Sequence, residues 1–370
     1  MREGQPGAGF HEALELSGVV MYSGTVGTTV ISVQKLIDHG ARRCGKLAEE
    51  LTSEQVQASR DALFYALSNL INIGIQYWAI GKTVIGLQAD KYIYDLPVGA
   101  VDALNVLFRR MNRPSGNGAS SAGGNVANAF DGNVDTVCTQ VSANGNLSIA
   151  YSGPEYIGSI GILPGASGTF NVVFETSQDN VSWTTLYDPG ATAWVNGEWL
   201  WYDIDPGASA PYYRMRETGG ATLSVRELYF GNNSTEITMA RLNRDDYTNL
   251  PNKNFTANQP FQFWVNRTIP QAKLNLWPVP SDPFVQMTVW YSRQVMDVGS
   301  LSGELEIPQR WMLAVQNMLA HQMSLELPGV PLDRVQYLEG QAEKYLTLAE
   351  QEERDKSPIM IAPSIGCYTR

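Results

Sequence analysis

Histidine and cysteine are scarce in this chain, three of each in 370 residues. None of His11, His39 and His321 has another histidine or a cysteine at the spacing that holds zinc, so a histidine-based metal centre has no footing. Cys44, Cys138 and Cys367 are odd in number and far apart, which argues against a disulfide framework and fits free thiols in a reducing cytoplasm. Positive charge is short as well: 26 Lys and Arg stand against 37 Asp and Glu, a net charge of −11. A broad cationic footprint for phosphate is therefore absent. The acidity suits a surface past which nucleic acid slides without sticking. No run approaches the roughly 18 consecutive apolar residues of a membrane-spanning helix. The opening "MREGQPGAGFHEALELSGVVMYSG" has acids and glycines where an export signal has a basic head and an apolar run. Catalytic signatures are missing too: there is no G-x-S-x-G elbow, no G-x-x-x-x-G-K-[ST] loop and no strand-linked G-x-G-x-x-G. The acidic run "EQEERD" at 350–355 reads as a solvated helix end. The expectation is a protein that is not an enzyme.

What is present is enough to fold. Apolar residues make up 44% and aromatics 10%, and the length exceeds one ordinary core, so two or more domains are expected. Helical periodicity marks both ends. "SVQKLIDHGARRCG" sets Val33, Leu36, Ile37 and Ala41 on one side, with Gly45 as a left-handed stop. From Thr52, a capping box with Gln55 opens a helix whose face carries Val56, Leu63, Leu67, Leu70, Gly74 and Tyr77. These two predict a helical hairpin. Near the C-terminus, Pro308 opens a helix with Trp311, Val315, Met318 and Gln322 on one face. After "PGVP", Pro331 opens another, with Leu332, Val335, Leu338, Ala342, Tyr345 and Ala349.

Between Pro114 and Asn233 the texture changes to short β-branched and aromatic runs set between Gly, Asn, Asp and Pro. "NLSIAYSG", "IGSIGIL", "TFNVVFETS", "YYRMRET" and "LSVRELYFG" read as strands of an antiparallel sandwich, led by the linker-like "PSGNGASSAGG". Outside it, "YIYDLP", "VDALNVLFRR", "EITMARLNRDDYTNLP", "FQFWVNRTI", "AKLNLWPVP" and "FVQMTVWYSRQV" alternate as strands do. Strands on either side of the sandwich then share one small sheet, and the sandwich is an insertion into it.

Two features of the insert carry chemistry. In "NVANAFDGNVDTVCTQ", Asp131, Asn133 and Thr136 lie in one tight turn, and Glu227 is on the last strand. Two readings stay open: a calcium site built from these oxygens, or a turn closed by its own hydrogen bonds. Trp183, Trp194, Trp199, Trp201 and Tyr202 form the second feature, with glycan stacking, protein contact and core packing as competing uses.

"NAFDGNVDT", "IGSIGIL", "FETSQDNVSWTTL" and "YYRMRE…LSVRELYFGN" together resemble, in order, the discoidin or coagulation factor 5/8 type C modules. That likeness implies a jelly roll; Cys138 stands where such modules usually have tryptophan. The flanks resemble another family. "ALFYALSNLINIGIQYWAIG", "YIYDLP", "ITMARLNRDDYTNLPNKNFTANQPFQFWVNR", "LNLWPVPSD", "WYSRQVMDVG", "EIPQRWMLAVQNMLA" and "ERDKSPIMIAPSIGCYTR" are similar to the head-to-tail adaptors of short-tailed bacteriophages. The combined expectation is an α+β multidomain chain, a helical-hairpin adaptor core with a small antiparallel sheet, interrupted by an all-β jelly-roll sandwich. Along the chain these are an N-terminal extension (1–28), a first core segment of helices and strands (29–112), the insert (113–232), a second core segment of strands and a helix pair (233–356) and a docking tail (357–370). The adaptor likeness implies a virion protein assembled in the host cytoplasm. It would form a homo-oligomeric, dodecameric ring between the portal protein and the tail nozzle protein, with packaged DNA passing through unbound and no membrane contact. Trp311, Tyr337, Tyr345, Lys356, Ile359, Tyr368 and Arg370 are the expected ring and portal contacts. In that ring the inserted sandwich is expected to brace neighbouring proteins; the alternative is a glycan-binding tail component in which the sandwich attaches to the host.

Overall fold

A computed structural model describes residues 31–73, 77–110, 116–205, 207–231, 236–295 and 298–352, the side chains of 71–73 and 77 excepted. The expectations for 1–28 and for Lys356, Ile359, Tyr368 and Arg370 lie outside the described residues. The chain divides into two compact units, Met1–Leu70 with Met296–Arg370, and Ile71–Val295.

The first unit is helical, with α1 (Val33–Cys44), α2 (Ser53–Ile73, which runs on past its boundary), α4 (Gln309–Glu326) and α5 (Leu332–Glu352). The short α3 (Arg244–Thr248) belongs to the other unit. Local signals fix the helix ends. Gly45 closes α1 in the left-handed region at φ 84°, where a side chain would be strained. The Thr52 hydroxyl accepts from the Gln55 amide at 3.3 Å, and the Gln55 side chain accepts from the Thr52 amide at 3.0 Å. Packing departs from the expected hairpin, because α1 lies along α4 and not α2. Gly40 meets Met323 and Leu319, and the Cys44 thiol donates to the Ala320 carbonyl at 3.3 Å. Two small residues let the backbones approach where a bulkier pair would hold them apart. Burial pushes the Cys44 thiol up to about 11, against a smaller opposing pull from Arg334, which leaves the thiol protonated and inert at neutral pH. The buried stripe of α4 also differs in detail: Met323 is inside and Gln322 is exposed.

The second unit is built of sheets. One four-stranded sheet runs β1 (Ile80–Gly86), β20 (Val285–Arg293), β3 (Ala100–Arg110), β14 (Glu236–Thr238). Another runs β15 (Ala240–Arg241), β17 (Gln262–Asn266), β18 (Lys273–Trp277), β2 (Ile93–Asp95), and β16 (Thr256–Ala257) pairs with β19 (Val279–Pro280). The two four-stranded sheets share a core of Tyr94, Val106, Phe108, Phe263, Leu274, Leu276, Val285, Met287 and Val289. These residues alternate along their strands, as a sheet with one inward face requires. Some of the expected strand run "EITMARLNRDDYTNLP" is instead α3. Its Asn243 side chain accepts from the Asp246 amide at 2.7 Å, a helix cap.

The chain leaves this stem after β3 and returns at β14, and the two are paired neighbours, Arg109 opposite Glu236. Between them lies a sandwich. Its larger sheet runs β10 (Ala191–Trp194), β8 (Gly168–Ser177), β12 (Ala210–Glu217), β6 (Asn146–Glu155), β4 (Gly116–Ser120), with β9 (Thr184–Tyr187) also on β8. The smaller runs β11 (Leu200–Asp203), β7 (Ser159–Pro164), β13 (Ser224–Gly231), β5 (Cys138–Thr139). Ile149, Tyr151, Ile160, Ile162, Phe174, Tyr213, Met215, Leu228 and Phe230 interdigitate between the sheets. The segment expected to be a flexible linker contributes β4. Gly118 has no Cβ, and the space one would fill is taken by the Phe130 ring.

Candidate functional site on the outer face of the sandwich

The two outer faces of the sandwich have different environments. On the smaller sheet, Leu163, Trp199, Trp201 and Tyr229 face away from the sandwich core and pack with Val84 and Phe284 of the stem. Trp199 and Trp201 stack at 4.8 Å, and the Phe284 ring meets Trp199 edge-on at 5.8 Å. Gly86 on β1 makes room: a Cβ there would lie 2.5 Å from the Trp199 Cβ and 2.6–2.7 Å from the Trp201 indole. Polar contacts reinforce the seam. Asp203 on β11 takes Arg109 at 2.6 Å and Lys82 at 3.0 Å, and Arg109 also binds Glu236 at 2.5 Å. The smaller sheet's face is thus occupied by the molecule itself.

The larger sheet's outer face points the other way. Along β12 the side chains alternate, with Tyr213 and Met215 in the core and Tyr212, Arg214 and Arg216 turned outward. Glu175 on β8 sits opposite Arg214. Its carboxylate accepts from Arg214 Nε at 2.5 Å and from Arg216 Nε and Nη2 at 3.1 and 2.8 Å. Burial alone would raise its pKa; the hydrogen bonds and charges of Arg216 and Arg214 outweigh that and hold it below the usual carboxylate value. The Arg214 guanidinium carbon lies 4.0 Å from the ring centroid of Trp183, a cation–π contact. Trp183 follows the β8–β9 turn, which is tied by Asp179 Oδ1 accepting from the Val181 and Ser182 amides at 2.9 and 2.8 Å. Those amides, with the Ser177 hydroxyl, pull the Asp179 carboxyl down to about 2. The result is a half-buried indole against the Arg214 guanidinium, which shares the Glu175 carboxylate with Arg216, a cluster of net charge +1.

The five aromatic candidates therefore separate. Trp194 is in the sandwich core against Phe170 at 4.3 Å, Trp199 and Trp201 are in the seam, and Tyr202 leans on Tyr187 and Phe174 at 5.2 and 5.9 Å. They do not form a common platform, because each large ring gains more by burial than by exposure. Trp183 alone of the five reaches the outer face. Arg214, Arg216 and Glu175 escape a reading of the sequence, although the alternating "YYRMRE" carries the signal that two arginines share one face.

Asp131, Asn133 and Thr136 are brought together as a self-bonded turn. Asp131 accepts from the Asn133 amide at 2.8 Å and the Thr136 hydroxyl at 3.0 Å, and Asn133 Oδ1 accepts from the Asp135 amide at 3.1 Å. Glu227 is fully buried on β13. Among the described residues no group of three or more His, Cys, Asp or Glu is placed to hold a metal ion. In the helical unit, Trp311 is wholly buried in α4 and cannot serve as a contact to another protein, whereas Tyr337 is 64% exposed on α5 and Tyr345 is half-buried.

No protein-family model matches the chain, and no curated protein does. Solved structures similar to it are carbohydrate-binding modules. One is the family 32 module of Clostridium perfringens NanJ in complex with galactose, at 16% identity and a TM-score of 0.29, covering 34% of this chain and 99% of that one. Another, also from Clostridium perfringens, is in complex with GalNAc-β-1,3-galactose, at 13% identity and a TM-score of 0.28, covering 32% and 95%. A pectin-binding module matches at 17% and 0.28, covering 33% and 92%.

Proposed function

We propose that the chain is a non-catalytic recognition protein whose sandwich binds a glycan on the outer face of its larger sheet, while the helical unit anchors it in an assembly. The observation that carries this reading is the Trp183–Arg214–Glu175–Arg216 constellation on the one sandwich face that the stem leaves uncovered. Sugar recognition uses an aromatic surface for the ring's C–H groups and planar charged side chains for neighbouring hydroxyls, and both are adjacent here. A glycan array probed with the full chain tests it. Trp183→Ala and Arg216→Ala should each weaken binding about tenfold, the loss of one charge-assisted hydrogen bond or one ring contact. Unchanged binding by both variants, or no glycan bound by the parent chain, would overturn the reading.

A second reading is a head-to-tail adaptor ring, docked under the portal protein and facing the tail nozzle, with DNA passing through. It is favoured by Leu313, Leu325, Leu332, Tyr337 and Leu348, large apolar side chains that α4 and α5 leave exposed. Ring closure would cover such faces by a heterologous contact. Native mass measurement with purified portal tests it: a ring is expected, and a chain that stays monomeric on portal counts against it. Removal of residues 357–370 should leave a folded monomer that no longer docks.

A further inference from the structure

Between α1 and α5 of the helical unit lies a groove of about 540 Å³, lined by Arg43, Arg334, Tyr337, Gln341 and Tyr345 over Leu338. Its two guanidinium groups are held by neutral partners. Arg43 Nη1 donates to the side-chain carbonyl of Asn317, which is itself buried and fixed by its own bond to the Leu313 carbonyl at 2.7 Å. Arg334 Nε donates to the Arg43 carbonyl at 2.6 Å, and Gly45 lets it approach, since a Cβ there would stand 3.1 Å from Nη1. Among the described residues neither arginine has a carboxylate within ion-pair distance, although Asp333 also lines the groove. In a chain of net charge −11, Arg43 and Arg334 line one groove with their guanidinium groups orientated by neutral partners and not by acids, which leaves their charge available to an anion.

The walls narrow the class. The groove extends beyond the two guanidinium groups along Tyr337, Gln341 and Tyr345, so it has room for more than a lone inorganic anion. The rings of Tyr337 and Tyr345 and the Leu338 floor offer apolar surface beside the charges, as a side-chain-bearing backbone needs. We propose that the α1–α5 groove binds a carboxylate-bearing segment of a partner polypeptide, with Arg43 and Arg334 gripping the carboxylates and Tyr337 and Tyr345 flanking the chain. This site is separate from the sandwich face and stands whether or not that face binds a sugar.

Anisotropy of an amidated, dye-labelled peptide with two glutamates around a tyrosine, titrated with the full chain, tests the proposal against the same peptide carrying glutamines. The glutamate peptide should bind at least about tenfold more tightly, and less so as salt rises. Arg334 is exposed, so Arg334→Gln should fold normally, checked by its thermal midpoint, and weaken the glutamate peptide about tenfold. Arg334→Lys should recover some of the loss, because it keeps the charge but not the fork. Tyr337→Ala should weaken both peptides. Equal binding of the two peptides, an unaffected Arg334→Gln, or no binding would overturn the proposal. So would inorganic phosphate displacing the peptide at equal concentration, which would make this an anion site without polypeptide preference. A change in native mass on Arg334→Gln without a change in peptide affinity would assign the groove to a second copy of the chain, and overturn it equally.

Discussion

The sandwich and the helical unit treat their large side chains in opposite ways. In the sandwich, Trp194 fills the space between the sheets, while Trp199 and Trp201 fill the space between the smaller sheet and the stem, all under 10% exposed. In the helical unit Trp311 is buried, but Leu325, Leu332, Tyr337 and Leu348 are half exposed or more. The difference follows from geometry. A sheet with neighbours on both faces buries both sets of alternating residues, whereas a helix with a narrow stripe buries only that stripe and leaves the rest of its circumference to water or to a partner. The smaller sheet of the sandwich is covered on both faces within the chain; the helical unit, like the outer face of the larger sheet, keeps surface that another molecule can use.

The largest test of that contrast lies in the sandwich. Trp194→Ala should cost about 4 kcal/mol, the transfer and cavity terms of a buried indole, read from the urea midpoint. Trp201→Ala should cost about 3 kcal/mol, because its ring is packed by the stem as well as by the sandwich. If Trp201→Ala behaves like a surface change, the seam is a loose contact and the contrast between the two regions fails. Arg109→Met should cost about 2 kcal/mol. It removes a buried cation shared by Asp203 and Glu236, both of which keep enough exposure to be rehydrated, so the cost stays below that of a fully buried pair.

How much of this is legible in the sequence follows the same division. Strands β6, β7, β8, β12 and β13 stand within two or three residues of their sequence expectation, since alternation is written in neighbouring residues. The Thr52–Gln55 capping box and the Gly45 stop are equally local. Partner choice is not legible. The stripe of α1 says which side is buried but not by what, and only the fold shows that Met323 and Ala320 of α4 meet it. β4 is hidden because glycine, serine and alanine carry no hydrophobic signal; it is a strand because β6 offers a free edge. At the candidate site, Trp183 looks in the sequence like four other aromatics. The stacked position of Trp199 and Trp201 has one available clue, Gly86 and Gly161 inside strands, which marks places where another group approaches closely.

A smaller effect concerns acidity at the outer face. Because Glu175 is held below the ordinary carboxylate value in the folded chain, it releases its proton more readily there than when unfolded. Its stabilising contribution is whole above about 4.5, the ordinary value, and fades as the pH falls through the lower value imposed by Arg214 and Arg216. Comparing urea midpoints at neutral and strongly acid pH, Glu175→Gln should be less stable than the parent by about 1–2 kcal/mol at pH 7, with the gap closing in acid. A gap that stays constant with pH would mean that the arginines do not depend on the carboxylate's charge.

The smallest effect expected is the most telling for the comparison. Leu332 is 72% exposed at the start of α5. Replacing it with serine removes almost no buried area in the isolated chain, so stability should change by no more than about 0.5 kcal/mol. The same change at a residue covered by a partner would remove that partner's contact, and would appear as weakened association while the free chain unfolds as before. Measuring both the urea midpoint and the native mass of Leu332→Ser therefore separates a helix surface that is merely wet from one that is kept for another molecule: a lowered midpoint would show that the helical unit already buries this residue, and the contrast with the sandwich would then be one of degree.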